Sequence, residues 1–350
     1  MEFILLALGV AVAVLVGVNI GGSSTGVAFG PAVGSKVVSK RKAAGLMAFF
    51  ALLGGLFVGP NVVHTMGEGI LPPQHFTLAA SIAVLLFTGL GILVGNILKV
   101  SVSTSETAVG AIIGMGAALG VLNWDTVGLI FTWWIISPVF AFWVSAATGR
   151  YLYDRIVKRL QLEKGSRNGP AKALVIIVGC YMAFSAGASN AANAVAPLVG
   201  AGSIDMFTAV LLAGLSIDAG AFLLGSRTME TVGNELTELS IEAALIVEII
   251  SATVITFLSQ AGIPASLAIS ATMSVIGLGW GRATRRVPIR REVGLESRTE
   301  KDEERIEEEK MDLYSPAMTR KVITAWMTTP LIAGILALVS FKLAVILGLL

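Results

Sequence analysis

Apolar stretches long enough to cross a membrane recur from end to end of the chain, at about residues 3–35, 43–59, 78–98, 102–121, 124–148, 173–200, 203–225, 241–261, 265–281 and 323–348. A helix needs about 20 such residues to cross roughly 30 Å of hydrocarbon, and a backbone in lipid must satisfy its own hydrogen bonds. The chain therefore reads as an all-α integral membrane protein. Charged residues make up 14% of it, against about a quarter in soluble domains, and its 350 residues leave no room for an ordinary soluble catalytic domain. The first stretch, Phe3 to Val18, lacks a basic leader and runs straight into a polar motif, which predicts a span and not a cleaved signal. The single cysteine, Cys180, excludes an internal disulfide and a cysteine-clustered metal site. His64 and His75 fall in "GPNVVHTMGEGILPPQH", which reads as a solvated loop.

A basic linker, "RYLYDRIVKRLQLEKGSRNGPAK" at 150–172, divides the chain into two similar halves, 1–149 and 173–350. Each half opens on a small polar motif ending in proline, "NIGGSSTGVAFGP" (Asn19 to Pro31) or "GASNAANAVAP" (Gly187 to Pro197). Each continues through a matching loop, "HTMGEGI" or "METVGNEL", to a serine-led span, "SVSTSETAVGAIIGMG" or "PASLAISATMSVIGLG", and closes on a span with Trp and Pro. This is a weak internal repeat. Five spans is an odd number, so the second copy sits upside down relative to the first: two inverted-topology repeats, the plan of secondary transporters. A cytoplasmic linker puts all but one of the 25 Lys and Arg on the inner side, including the charged loop 282–321; Lys342 is the exception. Both termini then lie outside, in a multi-pass protein of the plasma membrane.

Irregular, glycine-rich backbone survives at membrane depth only where it lines protein or a cavity. The first and sixth spans are therefore predicted to be broken or re-entrant helices. A helix that restarts at such a motif aims free N–H groups and its positive end at the cavity, a ready anion site. Candidate anion contacts are Asn19, Gly22, Ser23 and Ser24 in the first motif and Ser189, Asn190 and Asn193 in the second. The serine stretches Ser101 to Thr107 and Ser266 to Thr272 add Ser103, Thr104, Ser105 and Ser266. The competing use of such small residues is close helix packing. Glu106, Asp218 and Glu248 are carboxylates within or beside spans, and each is a candidate for proton coupling. With both histidines in the outer loop and the acids dispersed, neither a metal site nor an enzyme is expected. No cofactor or nucleic-acid partner is expected either.

In these motifs the chain resembles the inorganic phosphate transporter family, over essentially its whole length. The family's repeated signature reads approximately G-x-N-D-G-A-N-D-V-A-N-A-x-G, with a later P-V-S-T-T-H-x-x-x-G. The second motif matches at Gly187, Ala188, Ala192, Asn193, Ala194 and Pro197, and "VSTSETAVG" matches at Val102, Ser103, Thr104, Ser105 and Gly110. The departures fall on charged positions. Ile20, Ser24 and Asn190 stand where the family has Asp, Ser23 and Ser189 where it has Asn, and Glu106 where it has His; the second S-T-T has become Ser266, Leu267 and Ala268. "NIGGSS" looks like the family's sulfate-permease branch. Hydrogen phosphate carries a proton that needs an acceptor when buried, whereas sulfate only accepts, so a buried carboxylate facing it is repulsive. The resemblance and the lost carboxylates together imply import of sulfate by proton symport with alternating access. The alternative is sodium- or proton-coupled phosphate symport, because sodium is a common coupling ion in the family. Glu106 beside sulfate would repel it if ionised and is expected to be protonated in the loaded state. A homodimer in the lipid bilayer is compatible with this reading.

Overall fold

The computed structural model describes residues 2–97, 102–160, 169–226, 228–229, 240–285 and 316–348. The predicted spans appear as helices, with ends within a few residues of those expected. The first half holds α1 (Glu2–Gly34), α2 (Lys40–Phe57), a short α3 (Gly59–His64), α4 (Leu78–Ile97), α5 (Thr104–Leu119) and α6 (Trp124–Ala147). A short α7 (Tyr153–Leu160) leads into α8 (Gly169–Gly200), α9 (Met206–Leu223), α10 (Ile241–Gln260), α11 (Leu267–Thr284) and α12 (Pro316–Ile346). Most of the charged loop 282–321, most of "METVGNEL", the middle of the linker and Ser101 lie outside the described residues.

The breaks are not where the polar motifs led us to expect them. The sequence predicts interrupted first and sixth spans, yet α1 and α8 run unbroken through their motifs for 33 and 32 residues. Their polar residues are absorbed by the helix itself. Asn19 donates to the Leu15 carbonyl at 2.8 Å, Ser23 to Ile20 at 3.0 Å and Thr25 to Gly21 at 2.7 Å. Pro31 and Pro197 sit within the last turns, where each withholds an N–H from the carbonyl one turn earlier but leaves little helix beyond it to disrupt. The break falls instead between α2 and the helical segment Gly59–Gly69, bent by 59°, with Pro60 at the start of α3. The stretch expected as a solvated loop is thus α3 followed by a π-helical turn, Thr65–Gly69, with exposed His64 placing Nε2 3.1 Å from Glu68.

Among the described residues, six helices are long and apolar enough to cross a membrane, or seven if the bent pair counts as one span. Helix α5 is shorter. Its 16 residues rise about 24 Å, less than the roughly 30 Å of a hydrocarbon core.

The two halves interlock. Helix α1 packs on α9, α2 on α8, α5 on α12 and α6 on α11, and each of these contacts joins one half to the other. Glycine makes the closest approaches possible. A Cβ on Gly21 would lie 1.9 Å from the Ile217 carbonyl oxygen, and one on Gly220 would lie 2.1 Å from that of Val18. The same arrangement recurs between α8 and α2: Gly187 faces the Ala51 oxygen at 1.9 Å and Gly54 faces that of Phe184 at 1.9 Å. Gly21 stands ten residues before Pro31, as Gly187 does before Pro197. Small residues therefore do serve helix packing here, as in many membrane bundles.

Candidate functional site

Ser189 and Asn190, neighbours on α8, draw together all four polar segments. The Ser189 hydroxyl donates to the Ala265 carbonyl at 2.7 Å, immediately before Ser266, the residue that caps α11. Asn190 reaches the first half twice. Its Oδ1 accepts the Thr104 hydroxyl at 3.0 Å, and its Nδ2 donates to Ser24 Oγ on α1 at 3.3 Å. One turn further along α8, Asn193 Nδ2 lies 3.1 Å from Ser105 Oγ, 3.3 Å from Thr104 Oγ1 and 3.1 Å from Asn190 Oδ1. Ser24, Ser103, Thr104, Ser105, Ser189, Asn190, Asn193 and Ser266 are all buried.

Two of the four segments are helix starts. Ser103 caps α5 by accepting the Glu106 N–H at 3.3 Å, and Ser266 caps α11 by accepting that of Ile269 at 3.2 Å. The other two lie within the continuous helices α1 and α8, so they contribute side chains and not free N–H groups. The expectation of four donor-rich helix starts is corrected to two. An α-helix leaves its first four N–H groups without intrahelical partners, and the positive end of its dipole favours anions. The starts of α5 and α11 carry that property to either side of Ser189 and Asn190.

Of the sequence candidates, Ser24, Thr104, Ser105, Asn190 and Asn193 form one hydrogen-bonded cluster. Ser103, Ser189 and Ser266 adjoin it through caps and backbone. Asn19 and Ser23 bond within α1 instead, and the Gly22 carbonyl accepts the Thr228 hydroxyl. Glu106 is buried in the first turn of α5, beside Thr104 and Ser105. Ser103 and Glu106 fit the S-x-x-E pattern of a capping box, a signal legible in the sequence. Glu248 is buried on α10, with no hydrogen-bond partner for Oε1 among the described residues; Asp218 on α9 likewise leaves Oδ1 unpartnered. Glu248 lies one turn before Ala252, whose carbonyl accepts the Ser185 hydroxyl of α8 at 3.1 Å. Sequence reasoning passed over one buried carboxylate, Glu242, in the first turn of α10. It stands second in the predicted span 241–261.

The cluster is neutral, rich in hydroxyl and amide groups, and flanked by two helix starts, one of which carries Glu106 in its first turn. Among the described residues no three His, Cys, Asp or Glu side chains group together as a metal site. Such a place suits an anion held by hydrogen bonds.

The chain is similar to known proteins over most of its length. The family model described as "Phosphate transporter family" matches residues 20–337. Sulfate permease CysP of Bacillus subtilis (strain 168) is 33% identical over 248 residues, covering 70% of this chain and 69% of its own. A Pyrococcus furiosus protein provisionally named a phosphate permease is 23% identical over 388 residues, covering 87% and 88% of the two chains. Among solved structures, one titled "The sodium-dependent phosphate transporter" superposes over 99% of both chains with a TM-score of 0.74 at 19% identity, and so shares the fold. With the four polar segments, Asn19 excepted, inside the matched region, this multi-pass membrane protein belongs to the phosphate transporter family.

Proposed function

We propose that the protein is a secondary transporter that imports a tetrahedral oxyanion, preferentially sulfate, by proton symport. The observation that carries this reading is the convergence of Ser24, Thr104, Ser105, Ser189, Asn190 and Asn193 on α8 between the starts of α5 and α11. Sulfate is an acceptor of hydrogen bonds at every oxygen, and hydroxyls, amide NH2 groups and helix N-termini can all donate. Identity with a sulfate permease supports the same substrate. Glu106 is the carboxyl nearest in sequence to these donors, and its proton would offset anion charge during transport.

Alternating access fits a duplicated chain whose second half is inverted, with the linker 150–172 on the cytoplasmic side. The paired glycine contacts of α1 with α9 and of α8 with α2 support that plan, since they repeat with the same spacing in both halves. A phosphate symporter, coupled to sodium or protons, is the second reading. It is favoured by Asn193 Oδ1, a buried acceptor without a partner among the described residues, and by the fold shared with a sodium-dependent phosphate transporter.

Radiolabelled sulfate uptake into proteoliposomes under imposed proton or sodium gradients, with excess unlabelled phosphate as competitor, separates the two. Uptake driven by protons and insensitive to phosphate is the expected result. Sodium-driven uptake that phosphate blocks would establish the second reading.

A further inference from the structure

Asn193 Oδ1 is an odd feature in a site of donors. It is buried and has no hydrogen-bond partner among the described residues, while its amide nitrogen faces the oxygens of Asn190, Ser105 and Thr104 at 3.1, 3.1 and 3.3 Å. The bonds run one way along this chain of groups. Asn193 donates to Asn190, and Asn190 donates to Ser24 at 3.3 Å. A buried carbonyl left unmatched is costly.

An amide presents one accepting and one donating end of similar size, so each can turn over in place. Turning Asn193 alone would set its carbonyl oxygen against that of Asn190 at the same 3.1 Å. Turning Asn190 alone would set two NH2 groups together. Turning both restores every contact with its direction reversed, because the hydroxyls of Ser24, Thr104 and Ser105 can each donate or accept. Ser24 then donates to Asn190, Asn190 donates to Asn193, and Asn193 offers its NH2 group where its oxygen had been.

We propose that Asn190 and Asn193 form a two-state hydrogen-bond relay that sets anion selectivity. With the Asn193 oxygen free, the site takes a proton-bearing oxyanion such as hydrogen phosphate; with its NH2 group free, it takes a proton-free one such as sulfate. The bound anion selects the state it pairs with, as any ligand selects among conformers by differential affinity. Ser24 at the far end ties this choice to α1, and Thr104 and Ser105 tie it to α5. The relay rests on the reading of this cluster as the oxyanion site.

Two substitutions fix the relay without altering Asn193. Asn190→Asp has acceptors at both ends, so Asn193 must keep its NH2 group turned inward and its oxygen free. Ser24→Asp imposes the same direction from the other end, by holding the Asn190 NH2 group. At about pH 8 sulfate and most phosphate are both dianions. Equal charge is repelled alike. A carboxylate that takes the phosphate proton directly is separated from the relay by adding Asn193→Ala to each Asp variant, which abolishes the shift in ratio only if that shift runs through Asn193. A shift that persists without Asn193 overturns the relay.

Affinities for sulfate and phosphate are measured on the full-length protein in proteoliposomes, by competition against radiolabelled anion. Both Asp variants are expected to lower the ratio of sulfate to phosphate affinity by about tenfold, the order of one hydrogen bond. Thr104→Val removes a hydroxyl that both states use and is expected to weaken both anions while preserving the ratio. Misfolding lowers the amount of signal but not the ratio, and if one Asp variant yields no folded transporter the other decides. An unchanged ratio in the Asp variants overturns the relay and leaves the oxyanion site intact. Wild-type protein that binds neither anion overturns both.

Discussion

Serine and threonine on a membrane helix either bond back to a carbonyl about one turn earlier or reach across to a neighbour, and residue type alone does not say which. Ser23 and Thr25 bond back along α1, while Ser24 between them meets Asn190. The sequence thus marks "NIGGSS" as polar and worth attention, but only packing against α8 selects the member that faces the cluster. Ser103, Thr104 and Ser105 were easier to read because they open a span, where hydroxyls cap. Glu106 has two roles that can be pulled apart. As the fourth member of a capping box it supports the start of α5, and as a carboxyl group beside the cluster it is the proposed proton carrier. Glutamine also serves in a capping box but does not titrate. Glu106→Gln is therefore expected to leave the protein folded and to flatten the pH dependence of sulfate uptake, whereas Glu248→Gln retains a sloping profile. A profile unaltered by Glu106→Gln would move the proton to Glu248 or Asp218.

Helix boundaries were legible to within a few residues, because apolar runs, serine caps and glycine ends leave local marks. Helix continuity was not. "NIGGSSTG" and "GASNAANA" looked like breaks because they crowd glycine and polar residues into lipid-length spans, yet α1 and α8 continue through them. Glycine is needed there for a tertiary reason invisible to local pattern, the approach of a neighbouring backbone. Adjacent glycines on α2 separate this cause from flexibility. A Cβ at Gly54 would meet the Phe184 carbonyl oxygen at 1.9 Å, while the nearest atom to one at Gly55 is the Ala191 Cβ at 3.5 Å. Gly54→Ala is expected to destabilise the protein by at least about 1–3 kcal/mol, the usual cost of overpacking. Gly55→Ala, in a helix interior where alanine is the better former, should be neutral or stabilising. Thermal midpoints of the two variants in detergent check this, and equal midpoints would mean that α2 and α8 do not approach as described.

At the scale of the whole molecule, the halves that the sequence separates at a basic linker are not separate bodies. Every major helix contact named above crosses between them. The linker itself is held to the second half: Arg150 donates to the Thr284 carbonyl at 2.9 Å, and Tyr153 shares a 2.8 Å hydrogen bond with Ser240. The matching motifs and the clustering of charge are visible in the sequence itself; interlocking is not, because it depends on which faces meet. The proposed topology puts α7 inside and the α3 region outside. Cysteine introduced at exposed Arg155 should resist a membrane-impermeant thiol reagent in intact cells, and cysteine at exposed Gln74 should react. The reverse pattern would invert the protein in the membrane.

Selenate offers the most direct test that the four polar segments meet to hold an oxyanion, since it has the shape and charge of sulfate and its selenium can be located by anomalous diffraction. In crystals of the protein grown with selenate, the anion is expected between the starts of α5 and α11, with oxygens at hydrogen-bonding distance, about 2.7–3.2 Å, from groups of Ser105 and Asn193. Selenium located away from α8, with Ser189, Asn190 and Asn193 contacting only protein, would contradict the assignment of the site.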